Sequence, residues 1–194
     1  MKKVFTFWEK LIEMKLFFCL LLTSGLFSVS AQTGFNDTLR QQLVRDWQRA
    51  KEYTDEYLSA APADKYGFRP IDTMRSFAEQ MLHLAAGNAG LVFIGTGSKY
   101  PFASQGFEKS PALQNKDSVL YYVNTSYDFA IRAIQNMDVN KLNEVVSWDL
   151  PGGKRKETRL AWLLKAFEHQ THHRGQCTVY LRLMGIKPPA EKLF

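Results

Sequence analysis

The chain has 194 residues, 45% of them hydrophobic and 23% charged, with a formal net charge of +6. That length fits one domain with a sizeable core, and that composition excludes a disordered or low-complexity chain. Basic residues are scattered apart from Lys154-Arg155-Lys156, so no cationic stripe marks a nucleic-acid partner.

Residues 1–31 read as a signal peptide. Lys15 precedes an apolar run from Leu16 to Phe27, and small residues follow at Val29-Ser30-Ala31. A run of about twelve apolar residues has the size of a leader core and is short for a bilayer span. Cleavage is expected after Ala31, with Met1 or Met14 as the initiator, and an uncleaved anchor is the alternative. The expected product is an exported protein, periplasmic or secreted, with one domain over residues 32–194 and no stable membrane insertion after cleavage. Cys19 would leave with the leader, so Cys177 would stand alone and no intrachain disulfide would brace the mature chain.

Four helices are expected in the remainder. Thr38 to about Leu58 carries Leu39, Leu43, Val44, Trp47, Tyr53 and Tyr57 at mostly three- and four-residue steps. A loop containing Arg69-Pro70 leads to a second helix from Met74 to about Phe93, with Asp72 or Thr73 as its cap. A stretch rich in glycine, proline and serine then makes a long loop up to the third helix, Lys116 to Met137. "VSWDLPGGKRKET" predicts a short hairpin or an irregular excursion. The fourth helix spans Arg159 to Met184, where Gly185 and Pro188-Pro189 stop it. The fold class is all-α: a four-helix bundle with long inter-helix loops.

Three of the four histidines lie between His169 and His173. His169 and His173 are four apart and share a stripe with Trp162, Ala166, Gln176, Tyr180 and Met184, the spacing of a helix seam facing a bundle interior. Two imidazoles so placed can reach one ion, and a third ligand must come from another helix. His83 lies on the second helix beside Ala85, Ala86, Gly87, Ala89 and Gly90, whose small side chains leave a hollow. Hydrogen-bonded core histidines would show the same spacing, and the joint pattern is what points to a metal. His172 is turned away on the wheel, and Cys177 lies about 12 Å along the axis from His169, too far to share an ion with both histidines.

"EHQTHHRGQCTVYLRLMGIKPP" and "YGFRPIDTMRSFAEQMLHLAAGN" resemble the two signatures of the DinB/YfiT-like metalloprotein superfamily. The resemblance spans essentially the whole mature chain. It implies a four-helix bundle, a divalent metal held by His83, His169 and His173, and often a homodimer. Known activities in that family include thiol-dependent transferases and isomerases, whereas many members have no assigned reaction. The well-studied relatives are cytoplasmic, so an exported chain departs from them.

Three neutral imidazoles leave an ion's charge uncancelled and a coordination position open, the arrangement of a Lewis-acid centre. Two reaction classes follow: transfer of a low-molecular-weight thiol to an electrophile, or hydrolysis of a small-molecule substrate. The alternative is a non-catalytic, metal-braced binding protein. Zinc or nickel leads among the ions, with manganese and iron also compatible with histidine. Glu79, one turn before His83, is the candidate to orient that imidazole or move protons, and Gln176 the candidate to bond a ligand or substrate. Glu168 points about 100° away from His169. A second apolar stripe, Leu160, Leu163, Leu164 and Phe167, would stay exposed unless loops or a second protomer cover it, and a homodimer is the expectation.

Overall fold

The computed structural model describes the backbone from Phe7 and side chains from Gly34 onward. The expected leader, residues 1–31, lies outside the residues whose side chains are described. The chain divides into two compact units, Met1–Leu39 and Arg40–Phe194, and the site described below lies wholly in the second. Among the described residues no helix is long and apolar enough to cross a membrane.

Four helices make up most of the chain: α1 Phe7–Ala60, α2 Phe77–Thr96, α3 Lys116–Asn136 and α4 Arg159–Leu183. Within the second unit each contributes an apolar face. Trp47 and Leu58 from α1, Leu82 and Leu84 from α2, Ile134 from α3 and Leu181 from α4 are fully buried, and burying a side chain of this size stabilises by about 1.5–3 kcal/mol. Helix α2 packs against both α3 and α4, and half-buried His83 on it faces His169 and His173 of α4.

Helix α2 starts later than the sequence suggested. Neither Asp72 nor Thr73 caps it; Ser76 does, accepting from the Glu79 backbone N–H while the Glu79 carboxylate accepts from the Ser76 N–H. This reciprocal box satisfies two orphan donors at once, which a lone Asp or Thr upstream would not. At the other end Gly97 adopts φ 74° and donates to the Phe93 carbonyl, a left-handed cap that glycine takes without strain.

The expected excursion before α4 is a regular antiparallel hairpin, β1 Val145–Leu150 and β2 Gly153–Thr158, pairing Trp148 with Arg155. Pro151 sets the first turn position and Gly152 takes φ 90° at the second, the backbone that Pro-Gly favours in a type II turn. Its base is tied to α4 by the Trp162 indole N–H donating to the Val146 carbonyl at 3.2 Å and by the Arg159–Glu144 ion pair at 2.8 Å.

The second apolar stripe of α4 is covered by the chain itself. Leu163 is fully buried and touches Gly95, where an added Cβ would sit 3.0 Å from its Cδ2. Phe167 meets Trp47 edge-on at 5.6 Å. Only Leu164 is widely exposed, at 51%. The stripe therefore does not supply the uncovered face on which a second protomer was expected, because α2 and α1 reach both sides of α4.

Candidate metal centre

His83, His169 and His173 converge. Each offers a ring nitrogen, and the three atoms lie within 4.8 Å of one another. Ring centroids are 5.1 Å apart for His83–His169, 4.6 Å for His83–His173 and 4.4 Å for His169–His173. Neutral imidazoles at that spacing would ordinarily each seek a hydrogen-bond partner, since an unpaired buried polar group costs about 1–3 kcal/mol.

Outward partners fix the orientation of two rings. Tyr180 donates its hydroxyl to the Arg75 carbonyl at 2.7 Å, so it accepts from the Gln80 amide nitrogen at 3.3 Å. The Gln80 carbonyl then faces His173 Nδ1 at 2.9 Å. A carbonyl only accepts, so His173 Nδ1 carries the proton and Nε2 keeps its lone pair. Glu108 does the same for His83, taking its Nδ1–H at 2.8 Å. That hydrogen bond holds the Glu108 carboxyl below the usual range, against the opposing effect of burial.

The third ring has no such partner. His169 Nδ1 is buried with no hydrogen bond, and the ring lies so close to α2 that a Cβ on Gly87 would come within 2.2 Å of its Cε1. The hollow expected from the small residues of α2 is thus filled by an imidazole. Burial, followed by the charge of neighbouring His83, pushes His169 down to about 4. Burial, followed by His169 and His83, pushes His173 down to about 3. Both are neutral bases at physiological pH. Two imidazoles with fixed lone pairs and a third with an orphaned nitrogen are a donor set that fits a divalent cation.

Glu79 does not meet His83. Its carboxylate is used by the Ser76 cap, by Arg69 at 2.8 Å and by the Gln114 amide at 3.2 Å. Burial alone would raise its pKa, but the Ser76 backbone, Arg69 and Gln114 together lower it. Glu108 takes the place expected for Glu79. It is held by its neighbour Phe107, which stacks on Tyr122 with ring centroids 4.2 Å apart and an interplanar angle of 17°. Gln176 donates to His172 Nε2 at 3.0 Å while its own Oε1 is buried without a partner. Cys177 is buried and free, its thiol pushed up by burial, and it has no place in the histidine cluster.

A cavity of about 780 Å³ opens over the histidines. His83, His169 and His172 line its floor, α2 one wall, and the hairpin and the 97–115 connection the rim. Glu168 lines the same cavity as His169.

The sequence profile of the DinB family matches residues 31–193. The chain belongs to the DinB family. It is 28% identical to the uncharacterized protein YjoA of Bacillus subtilis over 145 residues, 74% of this chain and 90% of that one. Its fold is similar to the crystal structure of a DinB-like protein from Bacillus cereus, with TM-score 0.65 and 19% identity, covering 78% of this chain and 96% of the other. It is also similar to that of YjoA, with TM-score 0.54 and 22% identity, covering 79% and 96%. A conserved protein from Enterococcus faecalis gives TM-score 0.58 at 19% identity, covering 73% and 94%.

Proposed function

We propose that this DinB-family chain is a metal-dependent enzyme whose divalent ion is held by His83, His169 and His173, and that it acts, after export, as a thiol transferase or a hydrolase on a small organic molecule. The observation that carries this reading is the convergence of three ligand atoms within 4.8 Å, two of whose residues, His83 and His169, line a cavity. A closed structural zinc site has four protein ligands, and only three stand here among the described residues. That difference favours a reactive centre over a brace.

Each surrounding residue has a role in this reading. When bound, the ion supplies Lewis acidity at the cavity floor. Glu108 and Gln80 hold the protons on His83 Nδ1 and His173 Nδ1, keeping both lone pairs aimed inward. Gly87 gives His169 its seat. The hairpin and the 97–115 connection restrict water over the histidines. Arg69 and the Ser76 cap occupy Glu79, so proton transfer falls to Glu108 or to His172, which also borders the cavity.

The test is metal analysis of protein expressed from its own start. About one divalent ion per chain is expected, and His173→Ala should lose most of it, because two remaining imidazoles make a weak site. Full occupancy in that variant would refute the ligand set. N-terminal sequencing of the same preparation should begin at Gln32, and an intact leader would refute the export reading.

A further inference from the structure

The cavity has two chemically different ends. Its floor carries His83, His169 and His172. Its upper wall is aromatic and is assembled from three separate segments. Phe93 of α2 is flanked by Tyr100 of the following connection, with centroids 6.0 Å apart at 87°, and by Trp148 of β1, at 5.2 Å and 84°. Edge-to-face contacts of this kind are ordinary packing, and they hold the hairpin to α2. Two further observations go beyond packing. Trp148 keeps 37% of its surface exposed although it borders a cavity. Gly90, one turn past the Gly87 seat, has no atom within 4 Å of where a Cβ would stand. Open space therefore lies along α2 between the aromatic wall and the imidazoles.

The charges around this space do not select a strongly charged ligand. Lys165 is paired with Glu157 at 3.3 Å, and Arg155 at the hairpin tip is offset by exposed Asp149 and Glu168 on the same rim. Leu91, Phe93, Ile94, Leu150 and Trp162 line the cavity beside Trp148, a continuous apolar surface that offers a sugar or a nucleotide no hydrogen bonds. A planar hydrophobic ring would find three aromatic faces and edges. A cavity of about 780 Å³ is within the usual size range for enclosing a small organic ligand.

We infer that the cavity binds a flat, apolar or aromatic organic compound, with its ring against Phe93 and Trp148 and its reacting group at the histidines. This rests on the reading of the histidines as the reactive centre, and it names the substrate class of that site.

The test uses N-phenyl-1-naphthylamine, a neutral aromatic probe with only a weak metal-binding group, whose emission rises in apolar surroundings. It is titrated into the purified full chain, both as isolated and after treatment with EDTA. Saturable binding is expected in both states. Trp148→Ala should weaken it by about fivefold and Trp148→Phe should restore most of the affinity. Tyr100→Ala, checked with Trp148→Ala for native circular dichroism, provides a second removal from a different segment and should also weaken binding. No saturable binding, or equal binding by both alanine variants and the unmodified protein, overturns the inference. Probe binding that survives while the protein takes up no metal overturns only the metal reading. Metal uptake without probe binding overturns only the substrate class.

Discussion

Among the described residues, a buried polar network and the half-buried histidine cluster differ in how completely they are satisfied. In the first, Tyr127 donates to the Gln170 carbonyl at 2.8 Å and meets Thr54 at 2.7 Å, while Arg174 donates to the same Gln170 oxygen at 2.8 Å and stacks on Tyr53 at 4.6 Å. That network ties α1, α3 and α4 together. In the second, the histidine cluster, two rings are anchored from outside and the inward nitrogens are left without protein partners, under an open cavity. A satisfied buried network stabilises and specifies a core; a half-satisfied one is tolerated where something else completes it. The contrast separates a structural role from a functional one more clearly than residue type does, since both clusters use polar side chains that are buried or half-buried.

The comparison can be broken from either side. The largest effect is expected at Arg174. Arg174→Met removes the donor that serves Gln170 and the Ala50 carbonyl and should lower stability by about 2–3 kcal/mol. Metal content of the folded fraction should be unchanged. Chemical denaturation combined with metal analysis reads both, and a loss of metal without a loss of stability would erase the distinction between the clusters.

Gly87→Ala should produce the reverse pattern. The new Cβ meets the ring of His169, a side chain that can swing aside, rather than backbone. Stability should therefore change little while metal affinity falls by about tenfold or more, the scale on which ligand orientation matters. Gly90→Ala is the matched control, since nothing lies within 4 Å of its added Cβ. Equal metal affinity in the two variants, measured by competition with a chelating dye, would remove the seat assigned to His169.

The smallest effect is in pH. In metal-free protein His169 and His173 stay neutral down to about 4 and about 3, against 6.5 for an ordinary histidine. Below 6.5 the unfolded chain binds protons that the folded chain refuses, so their effect on stability is absent above that pH and destabilising as pH falls towards 3. Between about pH 7 and pH 6, where carboxylates stay ionised, the two rings together are expected to cost about 1 kcal/mol in EDTA-treated protein. A flat denaturation midpoint across that range would mean that the imidazoles are better solvated than their surroundings imply.

The sequence by itself determined the number and order of the helices, the family and the three histidines, but not where α1 and α2 begin. Local periodicity sets α3 and α4 almost to the residue, and four-residue spacing on one helix puts His169 and His173 on one face regardless of what packs there. Small residues around His83 also announced a hollow. Tertiary structure decided everything that depends on a partner distant in the chain. Glu108 lies 25 residues from His83 in a connection with no periodicity, and it is delivered by the stacking of Phe107 on Tyr122. Glu79, with the better spacing along the helix, was claimed by the Ser76 cap, a local competition that spacing to His83 does not reveal. The pairing of Gln80 with His173 and the cover over Leu163 are likewise contacts between α2 and α4. Helical spacing states which residues share a face; which side chain crosses to meet them is set by packing between elements, and that is where the histidines acquired their orientation.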